Sequence, residues 1–270
     1  MKTGVLLMST GSPDRIEDVE PFMRRILIRR PPSPEVVREF QDRYRQIGGR
    51  SPLLEISRAQ ARALEASLKM PVYVGMRFWT PLIREAVDQA RKDGIERLVG
   101  VALAPHFSPI SVGAYLAELE ATGIPCVSIR QWYREPAFLA YWKRAVADRE
   151  FVLFTAHSIP VEGAEPYPTQ VAETIRAVVS GPHALAWQSR SPSPTPWLGP
   201  EIGDVLGTLK GRVTVAPIGF VSEHLEVLYD LDLFYRRKAE DLGLSWERLP
   251  MPNDHPMLIE ALDSAVRKHL

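Results

Sequence analysis

VLFTAHSIP (152–160) decides how this chain folds, because nearly the same pattern stands in LLMSTGSPD (6–14). Both are short apolar runs that break into a loop marked by Ser and Pro. Two more pairs follow in the same order. VGMRFWTPLI (74–83) has a counterpart in AWQSRSPSPTPWLGPEI (186–202), and VALAPHFSPIS (101–111) has one in VAPIGFVSEHLE (215–226). Each reads as a strand, a Ser-, Gly- or Pro-rich loop, then a helix. Strands are predicted at 3–9, 71–76, 97–104, 124–130, 151–156, 183–188, 212–218 and 244–249, from β-branched apolar runs bounded by turn residues. Between them lie helical patterns such as EVVREFQDRYRQI, EISRAQARALEASL, PLIREAVDQARKDG and PAFLAYWKRAVAD. Alternation of this kind makes parallel sheets covered by helices. The expected fold class is therefore α/β, with two similar halves, each a four-stranded parallel sheet flanked by helices. The halves join near 131–149, giving units of 1–146 and 147–270, with the last helix free to return to the first half. One continuous sheet is the alternative.

In open α/β sheets, ligands sit outside the carboxyl ends of the strands. Those ends carry Arg77, Ser108, His157, Gln188 and Glu226, so a cleft between the halves is the expected site. The chain has 270 residues, formal net charge zero and one cysteine, Cys126. A neutral balance argues against nucleic acid as partner, which needs a basic footprint. A single cysteine excludes an internal disulfide and any multi-cysteine metal or iron–sulfur site. No apolar run reaches transmembrane length, and the start lacks a signal-peptide core. A cytoplasmic location is expected. There is no GxGxxG after a strand, no GxxxxGK[ST] and no GxSxG, so nucleotide-binding and serine-hydrolase readings lack their signatures.

FTAHSIP sets His157 just after a buried strand. Alone it reads first as a hydrogen-bonded core histidine. Glu226 follows the third strand of the same half, where it can approach His157 as an acid–base pair or as half of a metal site. His with carboxylates suits Fe²⁺, Zn²⁺ or Mn²⁺. Asp230 lies four residues on, sharing a helical face with Glu226. A helix N-terminus would explain Glu223 as a cap, and Asp230 less well. His224 reads as a surface residue or as support for the site. MRFWTP (76–81) and WQSRSPSPTPW (187–197) bring aromatics and arginines to two strand ends. Core packing accounts for Phe78 and Trp187; a flat apolar slot with a basic rim, suited to a planar aromatic acid, is the functional reading. Arg29, Arg30, Arg43, Arg45 and Arg50 could supply carboxylate-binding forks.

The strings DRYRQIGGRSPL, LAPHFSPISVGAY, FTAHSIP, WQSRSPSPTPWLGP and PIGFVSEHLEVLYDLD together resemble the ferrochelatases, which insert Fe²⁺ into porphyrins. They run in family order over nearly the whole chain, and are most similar to the short bacterial form acting on coproporphyrin III. The resemblance implies two Rossmann-like halves with the porphyrin between them. It makes His157 and Glu226 the catalytic and metal-handling pair, with Asp230 extending a route for iron or protons. It sets Arg43, Tyr44, Ser51 and Tyr115 against the porphyrin and its propionates, with Arg77 as a basic neighbour. Thr10 stands where many coproporphyrin enzymes have tyrosine. Leu27 stands at the propionate arginine, with Arg29 and Arg30 as replacements close by. Phe234 stands where a third acid is common. Trp79 and Trp197 are candidates for gripping a bent macrocycle. The resemblance implies Fe²⁺ as substrate, no tightly bound cofactor and no iron–sulfur cluster. It also implies a monomer, with a transient haem-transfer partner. Protoporphyrin IX insertion, a sirohydrochlorin-type chelatase, a non-catalytic haem carrier and a two-lobed periplasmic-type binding protein are the alternatives.

Overall fold

The structure, a computed structural model, describes residues 1–27, 31–191 and 194–270. Among the described residues, eight strands lie close to the predicted ranges: β1 (Thr3–Ser9), β2 (Val72–Met76), β3 (Arg97–Ala102), β4 (Cys126–Ile129), β5 (Val152–His157), β6 (His183–Gln188), β7 (Arg212–Ala216) and β8 (Ser245–Arg248). They form two separate parallel sheets, ordered β2-β1-β3-β4 and β6-β5-β7-β8, and not one continuous sheet. The strand order is the same in both, so the echo in the sequence is a repeat in space. β1 and β5 occupy equivalent central places. β1 pairs with both β2 and β3, β5 with both β6 and β7. Their apolar residues are buried on both faces, as central parallel strands require.

Local chemistry explains the helix limits. α1 spans Val19–Ile26 and α2 spans Pro34–Gln46. Ser33 caps α2 by accepting from Val36 N, and Pro34 fits the first turn, where no N–H partner is needed. α3 (Leu53–Leu68) starts where Ser51 Oγ accepts from Leu53 N at 3.3 Å. α4 (Ile83–Lys92) is closed at its start by Glu85, which accepts from Leu82 N at 2.8 Å. α5 (Val112–Glu120) and α6 (Pro136–Ala145) complete the first half and the link. α7 (Tyr167–Val178), α8 (Ile202–Leu206), α9 (Arg236–Asp241) and α10 (Pro256–Arg267) serve the second half, and α10 lies against α3 and α6.

Two departures from expectation matter for the site. β7 stops at Ala216, short of the expected 218, because Pro217 has no N–H for a ladder bond. Gly219 then passes the end of β5 so closely that an added Cβ would lie 2.6 Å from Ala156 Cβ and 2.8 Å from its Cα. Second, Glu226–Tyr235 is not an α-helix but a π-helix, wound with i→i+5 bonds. Such wide turns are rare and concentrate at functional positions. The main core is shared: Val5, Val99, Phe138, Trp142, Phe154 and Leu262, drawn from both sheets, α6 and α10, belong to one buried cluster.

Candidate active site

His157 is the last residue of β5, and Glu226 opens the π-helix. Gly219 lets the chain between them run against the strand end. His157 Nδ1 and Glu226 Oε2 meet at 2.9 Å. Each side chain is about one-third exposed (35% and 34%), so the pair stands on a wall that solvent or substrate reaches. Tyr167 Oη donates to His157 O at 3.1 Å and fixes the strand end from behind. Gln188 Nε2 donates to Glu226 O at 2.8 Å and fixes the helix start. His224 Nδ1 accepts from Glu226 N at 3.2 Å. Burial pushes the His224 pKa down, outweighing Glu226, which keeps the ring in the neutral form that can accept. His224 is thus a support for the pair. Glu223, expected as a cap, instead pairs with Arg248 at 2.8 Å.

The electrostatics of the row are asymmetric. Burial pulls the His157 pKa down, but the charge and hydrogen bond of Glu226, with Asp230, raise it overall. Burial alone would raise Glu226; the His157 partner, with His224 and Ser189, holds it at about 2. Asp230 is raised to about 6, first by burial and then by the Glu226 charge. Ser189 Oγ donates to Asp230 Oδ2 at 2.6 Å, with Ser189 in the left-handed region at φ 61°. One carboxylate is therefore a fixed anion and the next is ready to carry a proton near neutral pH, an arrangement suited to proton transfer along the helix.

Asp230 also sets a pH-dependent stability. Its folded pKa lies above its unfolded value. The stability it lends is complete below about 3.8 and lost as pH rises through about 6. Glu226 runs the other way: its contribution is present above 4.5 and is lost as pH falls through about 2. Asp230→Asn, which still accepts from Ser189, is expected to stabilise the protein at pH 7 by up to ~2–3 kcal/mol, and by far less at pH 4.5. Urea unfolding at both pH values measures this. An equal effect at both would remove the buried-charge account.

The remaining site residues divide between the halves. Thr10, Arg77 and Tyr115 gather at the first half's strand ends: burial raises the Tyr115 phenol while Thr10 and Arg77 act to lower it, and the Arg77 guanidinium lies 5.7 Å from the Tyr115 ring centre. Arg77 also pairs with Glu118 at 3.0 Å. Arg43 lies over Phe40 and over Tyr229 of the π-helix, at 4.9 and 5.3 Å, and its Nε is buried with no partner among the described residues. Tyr44 is buried beside it. The Glu226 charge adds to burial in raising the phenols of Tyr44, Tyr115 and Tyr167, so its field reaches both halves. Ser51 is buried and occupied at the start of α3. Arg45 and Arg50 pair with Asp42 and Glu55 on the surface. Arg29 and Arg30 lie outside the described residues. Leu27 and Phe234 are exposed.

Of the two tryptophans, Trp197 sits on a strap tied to the His157 loop, through Leu198 N to Ile159 O at 3.0 Å and Val161 N to Pro196 O at 2.9 Å. Trp79 is buried in a cluster with Phe22, Tyr44 and Leu225, its Nε1 donating to Asp14, so it braces the wall rather than lining an open slot. No three His, Cys, Asp or Glu side chains among the described residues gather as a ready metal cage. His157, Glu226 and Asp230 stand as a row, with His157 and Glu226 in contact and Asp230 held by Ser189. Sequence reasoning missed Ser189 and Arg248. Ser189 had one signal, its place directly after a strand end. No helix among the described residues is long and apolar enough to cross a membrane.

A family model described as Ferrochelatase matches residues 2–270. The coproporphyrin III ferrochelatase of Bacillus subtilis is 38% identical over 304 residues, covering 100% of this chain and 98% of that protein. That of Geobacillus kaustophilus is 36% identical over 300 residues, covering 98% and 95%. Among solved structures, the cobalt complex of the sirohydrochlorin chelatase SirB from Bacillus subtilis subspecies spizizenii matches with TM-score 0.61 at 11% identity, covering 99% of this chain and 95% of that one. At that identity the likeness concerns the fold.

Proposed function

The chain belongs to the ferrochelatase family and is a metal chelatase, and we propose that it inserts Fe²⁺ into coproporphyrin III through the His157–Glu226 pair, in haem biosynthesis. The observation that carries this reading is the 2.9 Å contact between His157 Nδ1 and Glu226 Oε2, with a protonatable Asp230 farther along the same helix. Insertion exchanges two pyrrole N–H protons for one Fe²⁺. Nδ1 is committed to Glu226, so accepting a pyrrole proton or touching the iron falls to His157 Nε2. A histidine whose other nitrogen faces a carboxylate has a fixed tautomer and raised basicity. The proton taken there passes to the acids, and Asp230, raised to about 6, is the carboxyl of the row that can take one up and release it near neutral pH. Iron enters as the second substrate and leaves in the product, so an open row of donors suits it better than a closed cage. A flat macrocycle keeps its nitrogen lone pairs in the ring plane; binding energy spent on bending it aims them outward.

Arg43 acts electrostatically on Asp230 and Arg77 on Tyr115, and their forks suit propionates. Coproporphyrin III carries more propionates than protoporphyrin IX, which favours it at a basic rim. The reading includes no tightly bound cofactor and a cytoplasmic, monomeric enzyme that passes haem to a transient partner.

Anaerobic Fe²⁺ insertion with coproporphyrin III, protoporphyrin IX and sirohydrochlorin in parallel tests the assignment. Turnover is expected with coproporphyrin III, at a kcat/KM about tenfold or more above protoporphyrin IX, the scale of one charge-assisted contact. Preference for protoporphyrin IX would keep the chemistry and replace the substrate. Preference for sirohydrochlorin would replace the porphyrin class. Tight haem binding without any turnover would make the protein a carrier.

A further inference from the structure

Arg248 ends β8 and is largely buried, at 13% exposure. Its fork is filled by the two acids that bracket Glu226 in the chain. Nη1 donates to Glu223 Oε1 at 2.8 Å, while Nε and Nη2 donate to Asp232 Oδ1 and Oδ2 at 2.9 and 2.6 Å. Asp232 is two residues from Asp230, so it projects from the opposite side of the helix. Two residues earlier, on the same face of the strand, Trp246 Nε1 donates to Leu231 O at 2.9 Å. The other end of the segment is tied to the first half. Glu223 N donates to Asn253 Oδ1 at 2.9 Å, and Gln60 of α3, fully buried, donates to Asn253 O and to Ser222 Oγ at 2.8 and 3.0 Å.

A π-helix needs support from outside its own hydrogen bonds, since its winding is rarely adopted. We infer that Arg248 is a positioning residue for metal insertion, its fork holding the entry and the outer face of the π-helix so that Glu226 and Asp230 stay turned toward His157. The fork is essential. Bidentate Nε and Nη2 bonds fix the angle of Asp232, and Nη1 is left for Glu223. A lysine would retain the charge but hold one partner at a time. Arg248 touches neither porphyrin nor iron; it acts through the helix.

This inference rests on His157 and Glu226 being the insertion pair, so the test carries Glu226→Gln beside Arg248→Lys and Asp232→Asn. Coproporphyrin binding by fluorescence quenching counts folded sites, and anaerobic Fe²⁺ insertion gives kcat per site. Arg248→Lys and Asp232→Asn are expected to lose about 10–100-fold in kcat per bound site. Their porphyrin KM is expected to stay within about threefold. Loss of folding would appear as lost binding sites with kcat per site intact, and that result would overturn the positioning role. So would wild-type kcat in both variants while Glu226→Gln is inactive. If Arg248→Lys does not fold, Asp232→Asn decides by the same criterion. Wild-type turnover by Glu226→Gln would overturn the pair and the positioning role of Arg248 together.

Discussion

His157→Ala is expected to lower Fe²⁺ insertion about 10³-fold, the range set by loss of a positioned acid–base group, with coproporphyrin binding changed by less than about threefold. The ring stands at the end of a central strand, with its carbonyl held by Tyr167 and its Nδ1 held by Glu226. Neither His224 nor His106 can take its place. His224 is turned to Glu226 N and kept neutral by burial, and His106 is buried against Thr174 with its pKa pushed down to about 3. The variant has a second consequence. His157 opposes the effect of burial on Glu226, so without it the Glu226 carboxyl should titrate well above its present value of about 2. An anaerobic insertion assay with parallel porphyrin binding measures the first effect. Turnover near the wild-type rate would remove His157 from the mechanism.

The fold was legible because parallel βα units write themselves plainly into sequence. Runs such as VLLMS and VLFTA are apolar on both faces, and each breaks at a loop residue that parallel sheets place on one edge. The pairing of His157 with Glu226 was legible for the same reason: both follow strands that neighbour each other in a sheet whose order repeats. The wide helix was not. An α-helix and a π-helix share apolar patterning over one or two turns, and EVLYDLDLFY gives no local reason for i→i+5 bonds. Their support comes from Arg248 and Trp246 on β8, which only tertiary structure brings alongside. Glu223 shows the same limit. Its place near a helix start suggests a cap, yet a largely buried arginine from a distant strand takes its carboxylate instead. Trp79 was read as a wall for the macrocycle because it follows a strand end, but its neighbours Phe22 and Leu225 bury it first.

Trp142→Ala is expected to destabilise the whole protein by ~3–5 kcal/mol, and to do so in one transition. The side chain is fully buried on α6, the helix that links the two halves. Its Nε1 has no hydrogen-bond partner among the described residues, so the loss is one of packing and transfer, not of a polar contact. The cavity would open in a cluster to which Val5 and Val99 of the first sheet, Phe154 of the second and Leu262 of α10 all belong. α10 lies against α3 as well as α6, which gives the last helix a share in both halves. A void at that point cannot weaken one half and spare the other if the core is cooperative. Hydrogen exchange at β1 and β5 amides reports the two sheets separately. Equal loss of protection in both would mean that the repeated halves unfold as one unit, and that residues 1–146 and 147–270 are repeats rather than independent domains. Loss confined to one sheet, or two separated urea transitions, would mean that each half carries its own stability and that the cleft lies between independently stable halves.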